Sequence, residues 1–526
     1  MMHPRAIQKE SGFILPTVLS FMIAGIIIAG VVLQVILNNF FIVGNNVQRQ
    51  QAFNIAEAGV NYYLWHLSHN PNDFRDGKTT PATPDPALGY GPYEHTYIDD
   101  NAVNRGTFTL WIKPHGNGST LVDVRAIGKV KDTKITRTVE ARIGATSFGN
   151  YALVSDSALW FGANESADGP VHSNIGVRMD GPSNDTVSSS NSTYTPSSAI
   201  GGDGTAKNGV WCNTSVTAPV DCTTRNKSEW TYPTTSVDFN QVSSSLCTIK
   251  KVAFASDSTT ASLATQTNAC SQTPTGRTPG YLPQRSSSAN TSRGYLIQLN
   301  PNGTYDLFTV NNENDTLANY SAALSPTSVA TGIAIPSSGV IFAEDNVWVR
   351  SNPTYHGRVT IGAGRLATTN GANIKVADDL VYSTKNGEDA IGLVAEDSVL
   401  IAPYAAPATG AFTLEVNAAM LAQSGNVIYP SNYNFSNTTC TRGWIGSDQK
   451  LKFYGSVATR QTWTWSWQRS GACGDSVYDS SSGYYISGFK YNTTEYDRNL
   501  LFAPPPNYPI TGGYNILVWR EVLTKP

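Results

Sequence analysis

No aspartate, glutamate, lysine or arginine occurs between Phe13 and Gln48. At 1.5 Å per residue a helix over that run is roughly 54 Å long, whereas a bilayer core is about 30 Å thick and needs about 20 residues. The helix therefore outruns the membrane. A secretory signal has an apolar region of only about 7 to 15 residues and is removed at an A-x-A-like site, which this chain does not show. Helical spacing continues past the first outer cation, Arg49, with Ala52, Ile55, Ala56, Gly59, Tyr63 and Leu67 three or four residues apart on one apolar face. Ala56, Ala58 and Gly59 are small enough to let a second helix approach closely.

The segment before the apolar run holds Arg5 and Lys9 and ends at Gly12, with Phe13 and the helix directly behind it. Gly12-Phe13 in this setting resembles the type IV prepilin signal, and "IAEAGVNYYLW" at 55–65 resembles the helix end of PilX-like minor pilins. The resemblance implies cleavage after Gly12 by a prepilin peptidase, retention of the helix, and packing of that helix among other pilins. It places Pro16, Thr17 and Glu57 among the filament-assembly residues. Pilins usually carry glutamate at the fifth mature position, and here that position is Thr17. A glutamate there neutralises the N-terminal amine of a neighbouring subunit inside an apolar environment, where an unpaired charge is costly. Thr17 offers at most a hydrogen bond, which suits a subunit placed first, at the tip. The expected location is the inner or cytoplasmic membrane before assembly, then the cell surface or pilus.

Charged residues make up 14% of the chain, against about 25% in ordinary soluble proteins, and Ser, Thr, Asn and Gly fill the difference. A net charge of −3 provides no basic field, so no nucleic-acid partner is indicated. Cys212, Cys222, Cys247, Cys270, Cys440 and Cys473 all lie beyond the helix. An even count there fits disulfides formed outside the cytoplasm, and near-neighbour pairing 212–222, 247–270 and 440–473 is the simplest of many connectivities. No pair has C-x-x-C spacing, which sets a zinc site aside.

The fold class expected is mainly β: a long N-terminal transmembrane α-helix, a small antiparallel sheet, then a β-solenoid with a disulfide-stapled insertion. Residues 1–12 form the leader, 13–68 the pilin-like helix and 69–147 the small antiparallel domain, which opens on a Pro- and Asp-rich linker up to about Tyr90. There "GTFTLWIKPH", "STLVDVRAIGKV" and "TKITRTVEARIG" alternate apolar and polar residues between turns. Residues 148–182 make a first solenoid segment and 183–334 a Ser/Thr/Asn-rich insertion holding four cysteines. Residues 335–526 complete the solenoid, with the C-terminal strand as its cap. "AEDNV" at 343–347, "ADDLV" at 377–381 and "AEDSV" at 395–399 recur with offsets of 34 and 18 residues, suggesting a period near 17–21 with a degenerate copy at "VTIGAGRLA". "GPVHSN", "GLVAEDSVLI" and "YDRNLLFAPPPNYP" also resemble segments of large PilX-like pilus-assembly proteins with β-helical exported domains.

Paired acids such as Glu344/Asp345, Asp378/Asp379 and Glu396/Asp397 can serve as acid and base in β-helical polysaccharide enzymes. A recurring turn explains them more simply, with aspartate bonding local amides. No enzyme activity is expected, no cofactor is required, and calcium at acidic loops is the one ligand left open. His172 and His356 each follow a strand and have no evident nucleophile partner. In "TWTWSW", Trp463, Trp465 and Trp467 would share one strand face, either filling a core or forming an adhesive platform for a surface glycan or protein ligand. The function expected is a minor pilin or tip-located pilin-like subunit whose exported part adheres to a surface or binds a partner. The alternatives are a type II secretion pseudopilin and a surface-anchored β-helix enzyme acting on polysaccharide.

Overall fold

The computed structural model describes residues 14–70, 73–81, 83–115, 120–163, 165–213, 222–225, 227–255, 269–271, 273–285, 292–316, 319–368, 371–430 and 440–522. Ile14–His69 is one helix of 56 residues. Its first part is apolar on every side and uncovered, with Phe21 79% exposed and Phe40 73% exposed. Among the described residues it is the one helix long and apolar enough to cross a membrane. Pro16 sits in the first turn, where its missing N–H breaks no helical bond.

At Ala52 the helix changes character. Ala52, Ile55, Ala56, Val60, Tyr63 and Leu67 are buried against a five-stranded antiparallel sheet ordered Tyr90–Ile98, Asn104–Pro114, Leu121–Val130, Thr136–Ser147, Ile510–Val522. The three middle strands are the alternating runs of the sequence, and their inward side chains Phe108, Leu110, Val124, Ala126, Val139 and Ala141 meet the helix. A Cβ on Gly59 would stand 3.0 Å from the Phe108 ring, and one on Gly128 would stand 2.1 Å from the Ala52 carbonyl oxygen. Ala56 and Gly59 therefore admit the chain's own sheet, not a second helix. The C-terminal strand is a further correction. Ile510–Val522 does not cap the parallel part; it pairs antiparallel with Thr136–Ser147 and completes the N-terminal sheet. Arg520 pairs with Glu140 at 2.7 Å, Arg137 pairs with Glu521, and the Trp519 ring meets Phe53 of the helix at 5.6 Å.

Between the two halves of that sheet, in chain order, lie two parallel ladders. One runs Tyr281–Leu282, Val340–Ala343, Arg358–Ala363, Ala390–Ala395, Phe412–Ala422, Gln449–Thr459, then Leu153–Ser155, Val171–Ser173, Val187–Ser189 and Trp230–Thr231. The other runs Gly294–Leu299, Asn346–Ser351, Ile374–Val376, Val399–Ile401, Val427–Ile428 and Trp463–Thr464, and its outer side ends in the antiparallel strands Thr304–Val310 and Thr327–Ala334. Strands of the two ladders alternate along residues 294–464, and their inward side chains share one hydrophobic cluster. A three-stranded parallel sheet of Leu159–Phe161, Val177–Met179 and Val210–Trp211 extends the same cluster.

The order of the first ladder is permuted, because the last strand of the later segment lies beside the first strand of the earlier one. Residues 457–459 pair with Leu153–Ser155, while residues 450–455 of the same strand pair with Tyr491–Tyr496. Residues 183–334 are therefore not a separate insertion, since Val187–Ser189, Val210–Trp211, Trp230–Thr231, Tyr281–Leu282 and Gly294–Leu299 are sheet members. The chain must cross from one end of the ladder to the other between residues 231 and 281. The helix Gln241–Ala255 lies in that crossing, with Val242, Leu246, Ile249 and Phe254 in one cluster with Phe342, Val394, Leu421 and Ala458 of the ladder. The proline segment 503–509 straps the same face. Arg358 donates to the carbonyls of Ala503 and Pro504, and Gly339 leaves the space that Pro506 fills.

Candidate functional site

The repeated acids occupy two different corners. Register sets Ala343 beside Ala363, Ala363 beside Ala395, Ala395 beside Ala422 and Ala422 beside Thr459, so successive turns take 20, 32, 27 and 37 residues. A constant period near 17–21 is thus confined to part of the stack. Glu344/Asp345 and Glu396/Asp397 lie at equivalent corners two turns apart, and Arg365 of "VTIGAGRLA" lies between them. Asp345 pairs with the Arg365 guanidinium, and the Arg365 amide donates to Glu396 Oε2 at 2.6 Å. Burial pushes the Glu344 carboxyl up, opposed by Lys250 of the crossing helix, with which it pairs. Asp378 accepts from the Asp379 amide, and Asp379 accepts from the Glu415 amide of the adjacent turn at 2.8 Å. These carboxylates hold corners together.

His172 is buried, with Nδ1 2.9 Å from Ser188 Oγ and Nε2 3.1 Å from Asn174 Oδ1. The Ser-His contact looks like a nucleophile and its base, but Ser188 is simply the register neighbour of His172 and donates its hydroxyl to the Val171 carbonyl. Burial holds the imidazole below its usual range, with the Asn174 bond acting against it. His356 contacts Asp389 at 2.8 Å, and Asp389 is occupied by the amides of Gly357 and Thr384.

"TWTWSW" does not form one strand. Trp463–Thr464 pairs with Val427–Ile428, whereas Ser466–Arg469 pairs with Tyr484–Phe489 in a separate four-stranded sheet. Trp465 stands at the bend, 3% exposed and 5.5 Å from Phe453. Trp463 is half-buried, 6.0 Å from Trp465 and 5.5 Å from Phe161, where the later and earlier segments join. Trp467 donates its Nε1 to the Tyr429 carbonyl at 2.8 Å. The three indoles fill a join and do not form an exposed platform, because the period-two argument fails once the chain bends at Trp465.

The cysteines pair Cys212–Cys222, Cys247–Cys270 and Cys440–Cys473. The last staple closes the four-stranded sheet of Gly443–Trp444, Ser466–Arg469, Val477–Asp479 and Tyr484–Phe489. Gly12 and Phe13 lie outside the described residues. Thr17 and Glu57 are exposed along the helix.

Sequence reasoning missed one chemically dense cluster. Glu313 accepts from Trp348 Nε1 at 2.9 Å and Tyr404 Oη at 2.7 Å and pairs with Lys375. Asp315 beside it is exposed as a residue, and its carboxyl is pushed up by desolvation at that spot and by the Glu313 charge, with Lys375 opposing. Glu313 and Asp315 lie in "NNENDT", a polar loop without periodicity, and no sequence signal joins them to Lys375 or Tyr404. The arrangement pins the loop to the second ladder. Among the described residues no group of three or more His, Cys, Asp and Glu is disposed to hold a metal ion.

No protein-family model matches this chain. No curated protein matches it either. Among solved structures it is similar to the competence-associated pilin ComZ of Thermus thermophilus, at 12% identity and a TM-score of 0.27, over 91% of this chain and 98% of that one.

Proposed function

We propose that this chain is a type IV minor pilin or tip-located pilin-like subunit. Gly12-Phe13 is then the prepilin cleavage site, other pilins are partners of the helix, and the exported part contacts a surface or a partner. The paired parallel ladders are read as a β-solenoid that carries that contact. One observation supports this above the rest: Ile14–His69 is a single rod, uncovered and apolar in its first part and packed on a sheet in its second. A membrane anchor needs only about 20 residues. The exposed apolar side chains continue to Val47, so part of the rod would face water unless other helices cover it. A filament of such helices supplies the cover. Thr17, in place of glutamate, fits the tip position.

N-terminal sequencing of the mature protein tests the assignment, with Phe13 expected as the first residue. A mature chain beginning elsewhere would overturn it. Immunogold labelling tests the placement separately: label at filament ends is expected, and even label along the shaft rules out the tip.

A further inference from the structure

We infer that the stapled four-stranded sheet presents an aromatic platform beside the exposed guanidinium of Arg469, and that its ligand is an acidic sugar. The inference rests on reading the exported part as a binding module. Antiparallel register sets Trp467 beside Ser487, Arg469 beside Tyr485, and Tyr485 beside Tyr478. Residues opposite one another share a face, and Phe489 closes the same strand at its inner end. At the inner end Phe489 stacks on Trp444 at 4.6 Å, both buried. At the outer end Tyr478, 51% exposed, lies 5.1 Å from the Tyr485 ring. One aromatic row thus passes from core to solvent on a backing closed by Cys440–Cys473. Tyrosine costs little entropy to hold in place, and its face is broad and amphipathic.

Charge selects the ligand. Arg469 is exposed at the outer end, its Nη1 3.3 Å from Cys473 Sγ, and among the described residues no carboxylate pairs with it. Asp479, the neighbour of Tyr478, points to the other face and is held by Lys490 at 2.9 Å. A guanidinium without a carboxylate partner among the described residues, on the face of the exposed Tyr478 ring and the half-buried Tyr485, complements a sugar that brings a carboxylate. A uronate-type glycan meets both demands: its ring stacks and its acid pairs.

The test is a calorimetric titration of the full chain in detergent with oligogalacturonate and with the same oligosaccharide methyl-esterified. Binding is expected for the acid form, weaker by about tenfold for the ester and for Arg469→Gln, as for a lost charge-assisted hydrogen bond. Tyr478→Ala should weaken both forms, and thermal melts should show the variants folded. No binding of oligogalacturonate, equal binding by the variants, or capture of protein ligands alone would each overturn the inference. Filament incorporation is scored independently. Normal incorporation without glycan binding removes the platform and spares the pilin reading, and the converse result does the opposite.

Discussion

His172 shows how strand register alone can set a histidine against a serine hydroxyl. Its ring is enclosed between Ser188 and Asn174, and burial keeps the neutral form favoured in the fold. In the unfolded chain the imidazole titrates at about 6.5, so on acidification the unfolded state takes up the proton first. Stability from this group is therefore complete above that value and is lost as pH falls towards the depressed folded pKa. Thermal melts between pH 7 and pH 5 should show a falling midpoint, and His172→Asn should flatten the slope. An unchanged slope in the variant would assign the titration elsewhere. The corner acids were legible as turn residues from their recurrence alone. Their countercharges were not, because Lys250 and Arg365 reach Glu344 and Asp345 only through the packing of other elements.

At the scale of elements, the helix and the three middle strands of its sheet follow from hydrophobic period, and their packing follows from side-chain size. Gly128 is the tightest point, because a Cβ there would meet Ala52 and Ala56 backbone atoms at 2.1 and 2.4 Å. Gly128→Val should cost at least about 1–3 kcal/mol, the usual range for overpacking, and should lift the helix from the sheet. Gly25→Ala, where nothing lies within 4 Å, should cost nothing and should add up to about 0.5–1 kcal/mol of helix propensity. Denaturant midpoints of the two variants check both statements; a Gly128→Val midpoint like that of the native chain would show that the contact is not tight. The tryptophan motif misled for a local reason. Alternation assigns faces only within one strand, and "TWTWSW" belongs to two.

For the whole molecule, the permuted ladder makes a prediction about cooperation between distant parts. The strand at 153–155 has no ladder neighbour on one side until Gln449–Thr459 is in place, and the short strands at 171–173, 187–189 and 230–231 stack in turn on it. A fragment of residues 148–235 should therefore be unfolded and protease-sensitive alone, and should gain protection when mixed with a fragment of residues 273–522. Protection of the short fragment by itself would show that the join contributes little. The closing strand Ile510–Val522 adds a second long-range tie, since the N-terminal sheet lacks its edge until that strand, more than 360 residues beyond Thr136–Ser147, has been made.

Sequence alone determined what is local. The charge-free run sets a rod longer than a bilayer, alternation sets the sheet strands, and three short cysteine spacings anticipate three staples. Only the tertiary structure decided which strand lies beside which. A ladder strand of two or three residues, such as Val187–Ser189 or Trp463–Thr464, shows which side chains face inward but holds too little pattern to specify a neighbour. That choice is made by closure of the whole stack, in which the crossing helix Gln241–Ala255 and the proline strap bury their apolar surface against the ladder.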